Sequence, residues 1–322
     1  MKGLELAKRY YRAYGKPMLE EQFPQLQGRV AAGLVGQGSE CLGFDDEISA
    51  DHDYGPSFCL WLTEEDYRKY GEELQAAYHR LPAKFEGVGA RKASAHGSGR
   101  VGVLCIPAFY YGLTGFRQAP TANREWLGIP EPALCTATNG EVFEDPLGEF
   151  SRIRDGFLAY YPQDVWLYKI MTGAAQMAQS GQYNYSRAMK RGEQVAAMLS
   201  LAEFTKSAIS MAYLLNRRYM PFYKWMHHGM KTLPLLSEIG DILNLLAQTE
   251  IQSEAWKGAG AQDYLYTFNA NDQCVIIIEA VCNIILQEMV AQGLTQGTDN
   301  FLENHTWNIR EKIQDPELLV TQ

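Results

Sequence analysis

No Cys-x-x-Cys pair occurs among the six cysteines, Cys41, Cys59, Cys105, Cys135, Cys274 and Cys282. The paired-cysteine metal and redox motifs are therefore absent, and the apolar runs around most of these residues read as buried, reduced thiols. Basic charge is also scarce: Lys and Arg total 29 against 38 Asp and Glu, a net charge of −9. An acidic field works against long nucleic acid, which needs basic patches, and leaves a nucleotide, a small molecule or a protein as easier partners. No long uninterrupted apolar run is present. The greasiest stretch, Val275 to Leu286, is broken by Glu279 and Asn283 and reads as too short and too polar to span a bilayer. Met1-Lys2-Gly3-Leu4-Glu5 carries acid and no apolar region of signal-peptide length. Internal repeats and low-complexity tracts are missing. These absences together point to a cytosolic protein with no membrane partner.

Core-forming residues are plentiful. At 322 residues, with 46% hydrophobic and 12% aromatic residues, the chain suits one large or two medium domains. Leu4 to Tyr14 has helical spacing, with Gly15 and Pro17 as its expected stop. A short helix over Met18 to Phe23 follows. Val30 to Gly36 reads as a buried strand ending in a turn at Gly38 and Ser39. Thr63 with Asp66 three residues on is an acidic relative of the capping box, opening a helix that runs to about His79. Gly87 to Arg100, rich in Gly, Ala and Ser, reads as a loop carrying Arg91, Lys92 and Arg100. Arg100 to Ile106 is the next expected strand. Pro107 to Gly115 reads as aromatic and turn-rich, and Pro120 to Pro132 as a connecting segment. Val142 and Phe143 suit an edge strand.

The chemistry-bearing stretch is Gly36 to Gly55. Gly38 and Ser39 are followed, after eleven intervening residues, by Asp51-His52-Asp53 and the apolar run Phe58 to Leu62. On a strand, Asp51 and Asp53 share one face and form a cradle for a hard divalent cation. A Gly-Ser turn offers N–H groups and a hydroxyl to phosphate oxygens. His52 faces the other way. A metal-dependent phosphohydrolase would need further His and Asp on helices, and His79, His96, His227, His228 and His305 do not supply that pattern. No Lys or Arg lies between Ser39 and Asp53, so phosphate charge must be met by metal ions and by basic residues from elsewhere.

The Gly-Ser turn, the spacer and the Asp-x-Asp resemble the polymerase-β-like nucleotidyltransferase superfamily. The string from Gly38 to Pro56, the block Gly140 to Phe150 and the segment Arg217-x-Tyr219-x-Pro221-x-Tyr223-Lys224-Trp225 look like an uncharacterised bacterial branch of it, domain of unknown function 4037. The resemblance implies a small mixed-sheet α/β domain over residues 1–148. It implies Asp51 and Asp53 as catalytic metal ligands for one or two Mg²⁺ ions, and Gly38 and Ser39 as the grip on the phosphates of a nucleoside triphosphate. The superfamily places a third carboxylate on the strand after the Asp-x-Asp. By spacing that position is Gly102, with Glu86, Asp45, Asp46 and Glu144 as possible substitutes.

From about Phe150 the pattern turns helical. Helices are expected over Phe150 to Tyr161, from Pro162 onward, and over 184–216, 233–252, 274–292 and 307–313. They make an all-α bundle over 149–322 and an α+β chain overall. Arg187, Lys190 and Arg191 share one helix face. In related transferases the helical domain supplies cationic groups to the triphosphate or acceptor, so Tyr223, Lys224, Arg187 and Arg191 are the candidate phosphate contacts here. His305 reads as packing against the bundle. The expected activity is metal-dependent transfer of a nucleoside monophosphate to a hydroxyl on a small molecule, a protein or an RNA end. A catalytically weak or inactive nucleotide-binding regulatory module, toxin–antitoxin-like, is the alternative.

Overall fold

The computed structural model of the chain describes residues 1–49, 54–91, 99–257 and 268–320. They form two compact units, Met1–Thr121 with Gly128–Tyr160, and Ala122–Leu127 with Tyr161–Gln322. The fold class is α+β: the described strands all belong to one mixed sheet in the first unit, and the second is helical.

Helix α1 (Gly3–Tyr10) buries Leu6, Ala7 and Tyr10 on one stripe. The expected stop at Gly15 and Pro17 does not occur. The helix widens into a π turn at Tyr11–Gly15 and continues as α2 (Lys16–Gln22). Pro17 lies in the first turn of α2, where the wider turn accommodates its missing N–H. Gly15 is a contact residue: a Cβ there would lie 2.5 Å from the Phe58 ring.

The chain then forms β1 (Ala31–Leu34), α3 (Ser39–Leu42), β2 (Cys59–Leu62), α4 (Glu64–His79) and β3 (Gly102–Cys105). It continues with α5 (Ile106–Thr114), α6 (Asn123–Leu127, part of the second unit), α7 (Glu131–Thr138), β4 (Glu141–Glu144) and α8 (Glu149–Leu158). The strand order is β3-β2-β1-β4. β1 runs antiparallel to β2 and β4, and β2 runs parallel to β3. Alternate side chains of β2 divide between two cores. Leu60 and Leu62 join Phe58, Tyr10, Tyr11, Phe23 and Leu74 on one face. Trp61 points the other way and stacks on Phe150 at 4.0 Å. Thr63 caps α4 by accepting from the Asp66 N–H at 3.2 Å.

Two expected irregular stretches are helical. Pro107 sits in the first turn of α5, where a proline loses no helical hydrogen bond, and Gly115, with φ 80°, ends that helix. The proline-rich connector holds α6 and the start of α7, with Pro132 again in a first turn. Helix α8, assigned to the bundle by the expected boundary at 148, lies in the first unit. Its Phe150 and Phe157 are fully buried, against Trp61 and against Tyr110 at 5.7 Å.

In the second unit α9 (Gln163–Met177) passes through a π run (Ala178–Tyr185) into α10 (Ser186–Lys190). At Gly181 a Cβ would lie 2.3 Å from Phe204, so glycine permits the close approach of α11 (Gln194–Leu215). The expected helix over 184–216 is thus the end of one helix and the whole of the next, reversed at Gly192 (φ 73°). α12 (Tyr223–Met230), α13 (Ile239–Gln248), α14 (Gln273–Ala291) and α15 (Thr306–Arg310) complete the unit. α14 matches the helix expected over 274–292 to within one residue at each end. By length and composition it could cross a membrane, yet half of it is buried in the unit, and its Glu279 accepts a buried hydrogen bond from Gln182 at 3.0 Å. Asp272 caps it and also accepts from Tyr185 and from Trp256. His305 is buried, with Nδ1 2.7 Å from Thr295 Oγ1.

Candidate functional site

β1 delivers the chain into the Gly36–Ser39 turn. Gly36 and Gly38 have φ of 129° and 132°, a region that side chains with a Cβ rarely adopt. Asn139, at the end of α7, braces the turn from the side. Its Oδ1 accepts from the Gly36 N–H at 2.9 Å, and its Nδ2 donates to the Gly36 carbonyl at 2.8 Å. Gly140 closes the contact by donating to the Cys41 carbonyl at 2.8 Å. A Cβ on Gly140 would lie 2.0 Å from the Leu34 carbonyl oxygen. Arg154 in turn donates to the carbonyls of Thr138 and Asn139 at 2.7 and 3.0 Å. Gly38 and Ser39 themselves are half-exposed.

Asn139 was not singled out from sequence; the Asn-Gly pair preceding a strand was the available signal. Asn139→Ala removes both braces and leaves a buried Gly36 N–H. We expect a loss of about 1–3 kcal/mol, read by chemical denaturation.

A buried ion pair stands beside the turn. Glu40 is 3% exposed, and Arg91 Nη1 donates to its Oε1 at 2.7 Å and to Ser57 Oγ at 2.8 Å. Nine-tenths of the Arg91 side chain is buried, and its Nη2 has no hydrogen-bond partner among the described residues. Gly55 makes room for this approach, since a Cβ there would lie 2.7 Å from the Arg91 backbone. The structure thus brings a cation from the expected loop to the Gly-Ser turn, where the intervening sequence had none. Burial pushes the Cys41 thiol well up, with Glu40 adding to the shift, and pushes Cys59 up to about 12. Both are protonated at neutral pH and unsuited to nucleophilic work.

Asp51 and Asp53 lie outside the described residues. β2 begins only at Cys59, and the intervening Gly55-Pro56 is bent. Among the described residues no group of three His, Cys, Asp or Glu could hold a metal ion. Gly102 pairs with Cys59, well downstream of the Asp-x-Asp. It has φ 101°, and a Cβ would lie 2.7 Å from Gln75 Oε1, which already accepts from the Val103 N–H. Any side chain there would have to adopt this unfavourable φ and displace the Gln75 amide.

Each of the four candidate substitutes has a partner elsewhere, though Asp45 Oδ1 is buried with no hydrogen-bond partner among the described residues. Glu86 pairs with Arg9 at 2.5 Å. Glu144 accepts from Tyr11 and Lys16. Burial and that bond to Glu144 hold the Tyr11 phenol far above its usual range. Asp45 accepts from the Gly3 N–H at 2.8 Å at the start of α1. Asp46 closes a turn with Ser49, and the N–H of Ser49 holds its carboxyl below the usual range.

A cavity of about 360 Å³ opens on the same turn. Gly36, Gln37, Tyr67, Arg100 and Phe109 line it.

The candidate residues of the helical unit do not converge. Arg187 lies over the Tyr183 ring at 4.7 Å and donates to its hydroxyl. Arg191 is exposed at the reversal before α11. Tyr223 is 70% exposed beside Phe222 at 4.5 Å, and Lys224 Nζ is 5.3 Å from the Trp225 ring. The Tyr213 hydroxyl, near the far end of α11, donates to the Met226 carbonyl. The two basic clusters are therefore at opposite ends of a 22-residue helix, about 30 Å apart along its axis.

Residues 126–226 match the family model described as Domain of unknown function (DUF4037). The match reaches Asn139, Arg154, Arg187, Arg191, Tyr223 and Lys224, and leaves out Gly38, Ser39, Asp51 and Asp53. No curated protein and no solved structure matches the chain.

Proposed function

We propose that the first unit binds a nucleoside triphosphate and transfers its nucleoside monophosphate to a hydroxyl acceptor. The observation that carries the reading is the braced Gly36–Ser39 turn, held open by Asn139 beside a buried Arg91. In this reading the N–H groups and hydroxyl of Gly38 and Ser39 hold the terminal phosphates. Arg100, in the cavity wall, offsets part of their charge, and the cavity walled by Tyr67 and Phe109 takes the base. Asp51 and Asp53 supply hard carboxylate oxygens, the donor type that Mg²⁺ prefers. Bound Mg²⁺ would neutralise charge on the phosphates and lower the pKa of the acceptor hydroxyl. The acceptor oxygen bonds to the α-phosphorus, the bond to the β-phosphate oxygen breaks, and pyrophosphate leaves. The hydroxyl proton goes to a base that the acceptor or the solvent supplies. Tyr223, Lys224, Arg187 and Arg191 remain candidate contacts for phosphate or acceptor, one cluster at a time.

Gly102 favours a second reading, a nucleotide-binding regulatory module with little or no turnover. Glycine at 102 supplies no carboxylate, and Glu86, Glu144, Asp45 and Asp46 each already hold another partner. One experiment separates the two. The protein is incubated with Mg²⁺, a cell extract as acceptor source, and each triphosphate labelled at either the α- or the γ-phosphorus. Nucleotidyl transfer puts α-label on an acceptor and γ-label in pyrophosphate, only when Mg²⁺ is present. Binding without label transfer above that of the extract alone selects the regulatory module, and γ-label on an acceptor that appears only when the protein is added refutes nucleotidyl transfer.

A further inference from the structure

The second unit holds a cavity of about 700 Å³ that the reading above does not use. This is the size of a small-molecule site. Its wall includes Arg217, which occupies an unusual backbone position. α11 ends at Leu215, and the N–H groups of Arg217 and Arg218 turn back to the carbonyls of Leu214 and Tyr213 at 3.0 and 3.1 Å. Such a helix ending places one residue in the left-handed region, where glycine is the usual choice. Here Arg217 stands there with φ 49°. Its side chain does what a glycine could not. The guanidinium lies 3.8 Å from the centre of the Trp166 ring. That ring is itself fixed, being 3% exposed and donating from Nε1 to the Leu214 carbonyl at 2.8 Å. One Arg217 nitrogen donates to Gln163 Oε1 at 3.0 Å, and the side chain makes no other hydrogen bond among the described residues. An arginine held over a rigid aromatic with donors to spare is a pre-oriented fork for an oxyanion.

The rest of the wall agrees in charge. Lys312 lines the same cavity and has no ion-pair partner among the described residues. The single acid in the lining, Asp164, accepts from the Asp315 N–H at 2.9 Å. Asn123 and Gln292 also line it, with Asn123 Nδ2 donating to Asp315 and Gln292 Nε2 donating to Glu288 and to the Leu215 carbonyl. The floor, Trp166 with Leu167 and Leu294, is apolar and buried.

We propose that this cavity binds a small oxyanion, a phosphate monoester or a polycarboxylate, with Arg217 as its two-pronged contact and Lys312 as a second point charge. The site belongs to the helical unit alone, and the inference does not depend on nucleotidyl transfer. Its test uses the full-length chain and probes that carry no base: inorganic phosphate, glycerol 3-phosphate and citrate, titrated calorimetrically at constant ionic strength. At least one should bind saturably at about 1 mM or tighter. A preference for the first two assigns a phosphate site, and a preference for citrate a carboxylate site. Arg217→Gly should weaken binding at least tenfold while the unfolding midpoint stays the same or rises, because glycine suits the left-handed position. Lys312→Gln should weaken it by a smaller factor with no change in midpoint. Absence of saturable binding by all three probes would overturn the proposal, as would equal binding by the wild type and Arg217→Gly.

Discussion

Replacing Asp51 and Asp53 together by asparagine is expected to lower Mg²⁺-dependent pyrophosphate release by about a thousandfold or more. Asparagine keeps the size of each side chain and removes its charge. A neutral amide oxygen is a far weaker ligand for a hard cation than a carboxylate. The metal's contribution to a phosphoryl-group displacement is several kcal/mol of charge stabilisation, and about 4 kcal/mol corresponds to a factor of a thousand. The measurement is the initial rate of pyrophosphate release for wild type and double variant, with thermal unfolding as the control on folding. A double variant that folds normally and keeps a tenth or more of the rate would remove both residues from the chemistry. The braced turn would then have to be explained as a binding device alone. The single variants sharpen the result. If one carboxylate carries the essential ion, its loss should account for nearly the whole effect, since groups acting on one ion are not additive.

Glu40→Ala should be among the most destabilising single substitutions in the first unit, at about 3–5 kcal/mol. The reason is what it leaves behind. Arg91 is nine-tenths buried and is held by Glu40 and Ser57. Without the carboxylate, a guanidinium with one nitrogen already unpartnered keeps, among the described residues, a serine hydroxyl as its side-chain partner. Removing one partner of a buried pair costs far more than removing both. The double variant Glu40→Ala/Arg91→Met should therefore be more stable than Glu40→Ala alone, with a coupling of about 1–3 kcal/mol in a double-mutant cycle by chemical denaturation. Additive losses would mean that Arg91 reaches solvent in solution. The same pair links stability to the candidate site, because Glu40 directly follows Ser39. Loosening it should weaken nucleotide binding along with the fold.

Periodicity read well wherever local and tertiary preferences agreed. The cap at Thr63, the buried strand after Val30, the edge strand at Val142 and the long helix after Asp272 all follow from spacing and composition. Prolines and glycines misled the reading at Gly15, Pro17, Pro107 and Pro132. Each was taken as a breaker, yet Pro107 and Pro132 sit in true first turns, while Gly15 and Pro17 lie in a continuous helix whose π turn accommodates the proline. A first-turn N–H has no helical partner to lose, so proline costs little there. Gly15 and Gly181 are present because an aromatic ring from a distant segment needs the space. That demand cannot be seen from neighbours in the sequence. The placement of α8 has the same origin, since Phe150 and Phe157 face aromatic partners on β2 and α5.

By itself the amino-acid order determined an α+β chain with a Gly-Ser turn after its first strand, an acidic pair downstream, and a helical second half. These depend on local spacing, turn chemistry and charge, which act over a few residues. Only the tertiary structure decided that Asn139 grips Gly36, that Arg91 reaches Glu40, that Gly102 takes a positive φ beside Gln75, and that Arg217 lies over Trp166. Each of these pairs residues about 25 to 100 positions apart in the chain. Long-range partners meet through burial and packing of whole elements, and no window along the sequence carries that information.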